Sequence, residues 1–92
     1  MVRRKNHKNE TKIQWLDVWK QIQEIIYKRD APLSIRNAAL SDDTDWRVEG
    51  NEMHLFIPDI VQVYIEQNMD YFKPILLPFI TSHHCTKLIY ED

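Results

Sequence analysis

The sequence predicts a small α+β domain, and three observations carry that reading. Apolar residues repeat every 3.6 positions up to about Arg29, alternate around Leu55, and return to the helical period after Asp59. The only glycine, Gly50, stands in Glu49-Gly50-Asn51 between two β-prone runs, Trp46-Arg47-Val48 and Met53 to Ile57. Glycine reaches positive φ without a Cβ clash, so Gly50-Asn51 reads as a hairpin turn. Pro58 then ends the second strand, and Asp59 is placed to accept a backbone N–H as an N-cap. The expected order is α-α-β-β-α-β, with a three-stranded sheet near Trp46, Leu55 and Leu88 and helices over one face.

The first helix is expected over about Lys12 to Arg29. Thr11-Lys12-Ile13-Gln14 fits a capping box, with Thr11 as N-cap and Gln14 reaching back. Asp30-Ala31-Pro32 ends it, because proline disfavours the α region in the residue before it. Trp15, Trp19, Ile22 and Ile26 share one stripe. Val18 and Ile25 widen it on one side and Leu16 on the other, to roughly 180° against the ~100° that a core-facing helix needs. Part of this arc is expected at the surface. Trp is enriched at interface hot spots, so Trp19 is a candidate contact, with Leu16 or Trp15 beside it. The competing reading buries both indoles over the sheet.

Pro32 to Leu40 reads as a short second helix, with Pro32 in the first turn and Ser34 as a cap. Ser41 to Asp45 is an acidic loop without the spacing, glycine or terminal glutamate of an EF-hand. In the second hairpin strand Met53, Leu55 and Ile57 point one way, toward the helices. His54 and Phe56 point the other, with Phe56 on the open face and His54 a surface strand residue. The third helix is expected from about Asp59 to Phe72 on a stripe of Val61, Tyr64, Ile65, Asn68, Phe72 and Ile75, leaving Val63 and Met69 outside it. Lys73-Pro74 interrupts the pattern, and Pro78 makes its continuation short and irregular. Thr86 to Tyr90 is a last β-prone run.

Ninety-two residues with 43% hydrophobic and 11% aromatic content make one domain with a modest core. Residues 12–92 are assigned to it, behind a flexible basic tail, residues 1–11. That tail has no apolar stretch of a signal peptide, and Cys85 alone forms no internal disulfide. Both favour a reducing cytoplasm. No apolar run approaches the ~20 residues of a membrane span. Ile13 to Asp92 carries 7 basic and 13 acidic residues, which lacks the electrostatic footprint of a duplex-DNA binder. His83-His84-Cys85 reads as a polar loop, since no second cluster completes a metal tetrahedron. No nucleophile elbow, phosphate loop or acid–base dyad is present, and no metal or cofactor is expected. The function is expected to lie in surfaces.

In its element order the chain resembles domain I of the bacterial replication initiator DnaA. The resemblance rests on Leu16-Asp17-Val18-Trp19, on Glu49-Gly50-Asn51 with the Met53–Ile57 strand and Pro58-Asp59, on Tyr64-Ile65-Glu66, and on Lys87-Leu88-Ile89-Tyr90. It covers roughly Leu16 to Tyr90 and implies a KH-like fold and a non-enzymatic role in assembly. Domain I self-associates, binds the replicative helicase and takes regulators; some members bind single-stranded DNA weakly. The family's self-association tryptophan maps onto Trp19, its helicase-contact aromatic onto Ile60 or Val61, and two partner contacts onto Asp59 and near Ser34. Ala38 stands where the family has a second tryptophan, and Ile60 or Val61 replaces its aromatic. No AAA+ ATPase segment accompanies the domain, which implies an excised domain or a stand-alone relative. The C-terminal domain of the clamp-loader subunit tau, which binds the replicative polymerase or helicase, has a similar fold behind a flexible linker and is the alternative. Readings from other classes are a single-stranded nucleic-acid module, which lacks a G-x-x-G loop, and a small enzyme subunit, which needs a polar pocket.

Overall fold

The computed structural model describes residues 13–91; the expected basic tail and the Thr11 cap lie outside them. The elements are α1 (Trp15–Lys28), α2 (Leu33–Ala38), β1 (Asp45–Glu49), β2 (Glu52–Phe56), α3 (Asp59–Gln67), α4 (Met69–Ser82) and β3 (Lys87–Glu91). The chain is an α+β domain with one more helix than the sequence pattern indicated. The sheet order is β1-β2-β3. β1 and β2 form an antiparallel hairpin, with Glu49 opposite Glu52. Gly50 holds φ +62° and its successor does not share the positive value, the signature of a type II′ turn. β3 runs parallel to β2, in register from Glu52–Lys87 to Phe56–Glu91. Parallel neighbours need a long crossover, and α3 with α4 supplies it.

The core lies between the helices and one sheet face. Met53 and Leu55 of β2, and Ile57 beyond it, are buried against Val18, Ile22 and Ile26 of α1, Val61 and Ile65 of α3, and Phe72, Leu76 and Phe79 of α4. Trp46, Leu88 and Tyr90 pack at its margin. The inward set expected for β2 is thus observed, although His54 between Met53 and Leu55 is buried as well.

Helix α1 starts at Trp15, later than the capping box suggests. Gln14 holds the N-cap position in an extended conformation and makes no side-chain cap bond. Tertiary bonds take precedence. The Ile13 N–H donates to Ser82 Oγ at 3.2 Å, and His83 Nε2 donates to the Ile13 carbonyl at 3.1 Å. Caps at the next helices differ too. Pro32 and Pro58 occupy the N-cap positions of α2 and α3, which leaves Ser34 and Asp59 inside the first turns without capping bonds. Asp59 there still complements the positive end of the helix dipole.

The expected third helix is divided earlier than Lys73. Asn68, at φ −130° and ψ 37°, separates α3 from α4, with its amide bonded to the Tyr64 carbonyl at 2.9 Å. Pro74 and Pro78 lie inside the continuous 14-residue α4. Each removes one backbone donor, leaving the Asp70 and Pro74 carbonyls without their i+4 partners. Asp70, Pro74 and Pro78 share one exposed face by their four-residue spacing, so water can satisfy those carbonyls.

Two helices close without glycine. At the end of α1, Asp30 takes φ 56°; its N–H bonds to the Tyr27 carbonyl and that of Ala31 to the Ile26 carbonyl. At the end of α4, His84 takes φ 62°; its N–H bonds to the Thr81 carbonyl and that of Cys85 to the Ile80 carbonyl. Both are Schellman closures. Each is sealed by a buried pair, Ala31 with Ile26 and Cys85 with Ile80. His83-His84-Cys85 is therefore a helix terminator. The His83 ring packs on Trp46 and Phe79, and burial pushes the Cys85 thiol pKa up.

Both tryptophans of α1 are core. Trp19 is 4% exposed and stacks on Trp15 at 5.8 Å between centroids. The Trp19 Nε1–H donates to the Ser41 carbonyl at 3.1 Å and the Trp15 Nε1–H to Thr44 Oγ1 at 3.0 Å. The wide arc is buried because the loop after α2 folds over the indoles and accepts their N–H groups. Leu16, 70% exposed, is the part of that arc left outside. Trp19 is thus not a surface contact in the folded monomer.

Two stability changes follow. Trp19→Ala should cost about 3–5 kcal/mol, as for other buried aromatic truncations, measured by denaturant unfolding; a loss below about 1 kcal/mol would contradict this packing. His84→Gly should stabilise by roughly half a kcal/mol, because relief of left-handed strain exceeds glycine's entropic penalty. A fall in melting temperature for that variant would show that the His84 conformation carries no strain.

Candidate protein-docking face

The candidate contact residues divide sharply. Trp15, Trp19 and Val61 are buried, whereas Leu16, Ser34, Asp59 and Ile60 are at the surface. Of these four, Ser34 lies on α2 and Asp59 and Ile60 on α3, two helices that pack together. Leu16 stands apart, on α1.

Helical spacing explains what α2 and α3 show to solvent. Leu33 opens α2 and Leu40 stands in the turn just after it, at 63% and 56% exposure. Ile60 and Val63 are three apart and so adjacent on α3, at 39% and 50%. The opposite face of α3 carries the buried Val61 and Ile65. Leu33, Leu40 and Val63 were not among the candidate residues. The pattern of α3 had placed Val63 outside the core stripe, which was the available signal. Met69, set outside that stripe as well, instead packs partly against the core.

Beside this face lies a notch of about 520 Å³ lined by Ser41, Asp43, Asp45, Phe56, Ile57, Pro58 and Asp59. Phe56, Ile57 and Pro58 give it apolar walls, and three carboxylates come from the loop, β1 and α3. The loop is held in place by the two indole N–H bonds and by the Asp43 N–H, which donates to Ser41 Oγ at 3.1 Å. Among the described residues no group of three or more His, Cys, Asp or Glu is arranged to hold a metal ion. No helix among them is long and apolar enough to cross a membrane.

The sheet face away from the helices holds a second cluster. His54, on the central strand, is only 8% exposed, against the expectation of a surface residue. Its Nδ1 is hydrogen-bonded to the Glu91 carboxylate of β3. Its Nε2 lies 3.4 Å from Glu52 and 3.8 Å from Glu49. Asp45, Arg47 and Lys87 complete the charged groups of this face, and Arg47 pairs with Glu49 at 2.8 Å and lies over the Phe56 ring. The Glu91 hydrogen bond, reinforced by the nearby carboxylates, raises the His54 pKa above its ordinary 6.5 against the opposing effect of burial. The cluster ties three strands together electrostatically, through Glu49 of β1, Glu52 of β2 and Glu91 of β3.

The sign of that link gives a pH test. Because the folded pKa exceeds the unfolded one, the contribution is complete below pH 6.5 and is lost as pH rises through the raised value. Stability should fall over that window in the parent chain and stay flatter in His54→Gln, measured by denaturant unfolding at several pH values. Parallel curves for the two proteins, or an imidazole titrating below 6.5 by NMR, would contradict the cluster's role.

No family model, no curated protein and no solved structure matches this chain.

Proposed function

We propose that this chain is a non-enzymatic protein-interaction domain of bacterial DNA replication, similar in role to the initiator's domain I, and that it docks the replicative helicase or a regulator through the α2–α3 face. The observation that carries the reading is the exposure of Leu33, Ile60 and Val63 on two helices packed together, with Leu40 exposed in the turn that follows the first of them. Apolar side chains grouped in this way mark interaction sites more often than single exposed ones do. Ser34 and Asp59, which the resemblance implies as partner contacts, lie on the same two helices. Self-association through Trp19 has no support, since its indole is buried within the monomer. Binding of single-stranded DNA is disfavoured by the acidic body.

The test is titration of the ¹⁵N-labelled domain with the replicative helicase from the same organism. Association in the micromolar range, as expected of a small patch, should perturb residues of α2 and the first turns of α3. Ile60→Asp should weaken it by about tenfold or more, as for an interface anchor, while Leu77→Asp on α4 should not. Absence of binding at roughly 100 μM, or equal loss with Leu77→Asp, would sink the proposal.

A further inference from the structure

We infer that the occupant of the α2–α3 face is a basic amphipathic helix, an inference that rests on the docking role proposed for this face and adds the chemistry of the partner. Ile60 and Val63, three residues apart on α3, with Leu33 on the adjacent α2, offer positions for a helix that presents apolar anchors at three- and four-residue spacing. Charge then selects among such helices. Residues 32–45 and 56–67 carry Asp42, Asp43, Asp45, Asp59 and Glu66, all exposed, against Arg36 alone. The Arg36 Nε is itself buried. An acidic helix or a nucleic-acid backbone would be repelled here, and a helix flanked by Lys or Arg would be attracted.

The notch at the end of β2 adds a geometric reason. Its walls of Phe56, Ile57 and Pro58 suit the aliphatic stem of a lysine or arginine, and Asp43, Asp45 and Asp59 can meet the cationic head. Long basic side chains bury their stems on apolar surface in this manner. The acidic loop, pinned by Trp15 and Trp19, keeps that pocket in a fixed relation to α3. Apolar anchors would lie on Leu33, Ile60 and Val63 while one basic side chain enters the notch.

Three helical peptides of equal length serve as probes, patterned Leu–Lys, Leu–Glu and Leu–Gln, each titrated into the ¹⁵N-labelled full chain. The Leu–Lys peptide should bind most tightly, with shifts concentrated in residues 33–45 and 56–63. The double variant Asp43→Asn, Asp59→Asn should weaken it by about fivefold or more, as loss of charge complementarity predicts. Equal binding of Leu–Gln and Leu–Lys at this face would overturn the basic-partner inference while leaving the docking face intact. Shifts mapping to α1, α4 or the open sheet face would overturn it as well, because general attraction to an acidic protein would then explain the binding. Failure of the helicase titration with success of the Leu–Lys peptide would remove the replication role and keep the inference.

Discussion

The two indole N–H bonds are the constraint on which the rest of this structure depends. A helix with half its circumference apolar cannot bury that arc against a three-stranded sheet alone. Trp15 and Trp19 solve the problem by binding the loop between α2 and β1, through Thr44 and Ser41. The indole rings gain apolar cover, and their single donors gain acceptors, as buried tryptophan requires. The same loop carries Asp43 to the notch and delivers the chain to the edge strand β1. The position of the proposed docking face is therefore set from inside the core.

Scarcity of glycine shapes the helix ends. With Gly50 committed to the hairpin, the closures of α1 and α4 fall to Asp30 and His84, residue types that tolerate the left-handed region better than most. In each closure the buried contact behind the turn compensates for the conformation. The chain thereby keeps sharp reversals without flexible joints, and the hairpin remains its single glycine turn. Asn51, next to Gly50, also accepts the Thr86 and Lys87 N–H groups, so the turn anchors the start of β3.

Much of this fold was legible in the sequence because it rests on local patterns. The hairpin followed from one glycine, and the inward set Met53, Leu55 and Ile57 from strict alternation. Most of the failures share one physical origin, the priority of distant partners over local rules. Gln14 caps nothing because Ser82 and His83, some seventy positions away, hold Ile13 extended. Trp19 looked available because no periodicity reveals a loop folding over a helix. Pro74 and Pro78 looked like breakers because the sequence does not show that their freed carbonyls face water. The proposed docking face was half legible: Ser34, Asp59 and Ile60 came from a family pattern, while Leu33 and Leu40 gain meaning only from the packing of α2 on α3. The His54 cluster needed the β2–β3 register, which no turn specifies.

That register has a consequence for the order of folding. The hairpin pairs residues close in sequence and closes a short loop, whereas β3 joins β2 only after the whole α3–α4 crossover is in place. Non-local pairing of this kind carries the larger loop-closure entropy and belongs late on the pathway. The late strand brings the Glu91 carboxylate that meets His54 and the Glu91 carbonyl that Gln62 binds at 2.8 Å. Until it docks, the central strand has one bare edge and an imidazole short of its main partner. The last segment to arrive is thus the latch of the sheet, and the proton on His54 sets how firmly that latch is held.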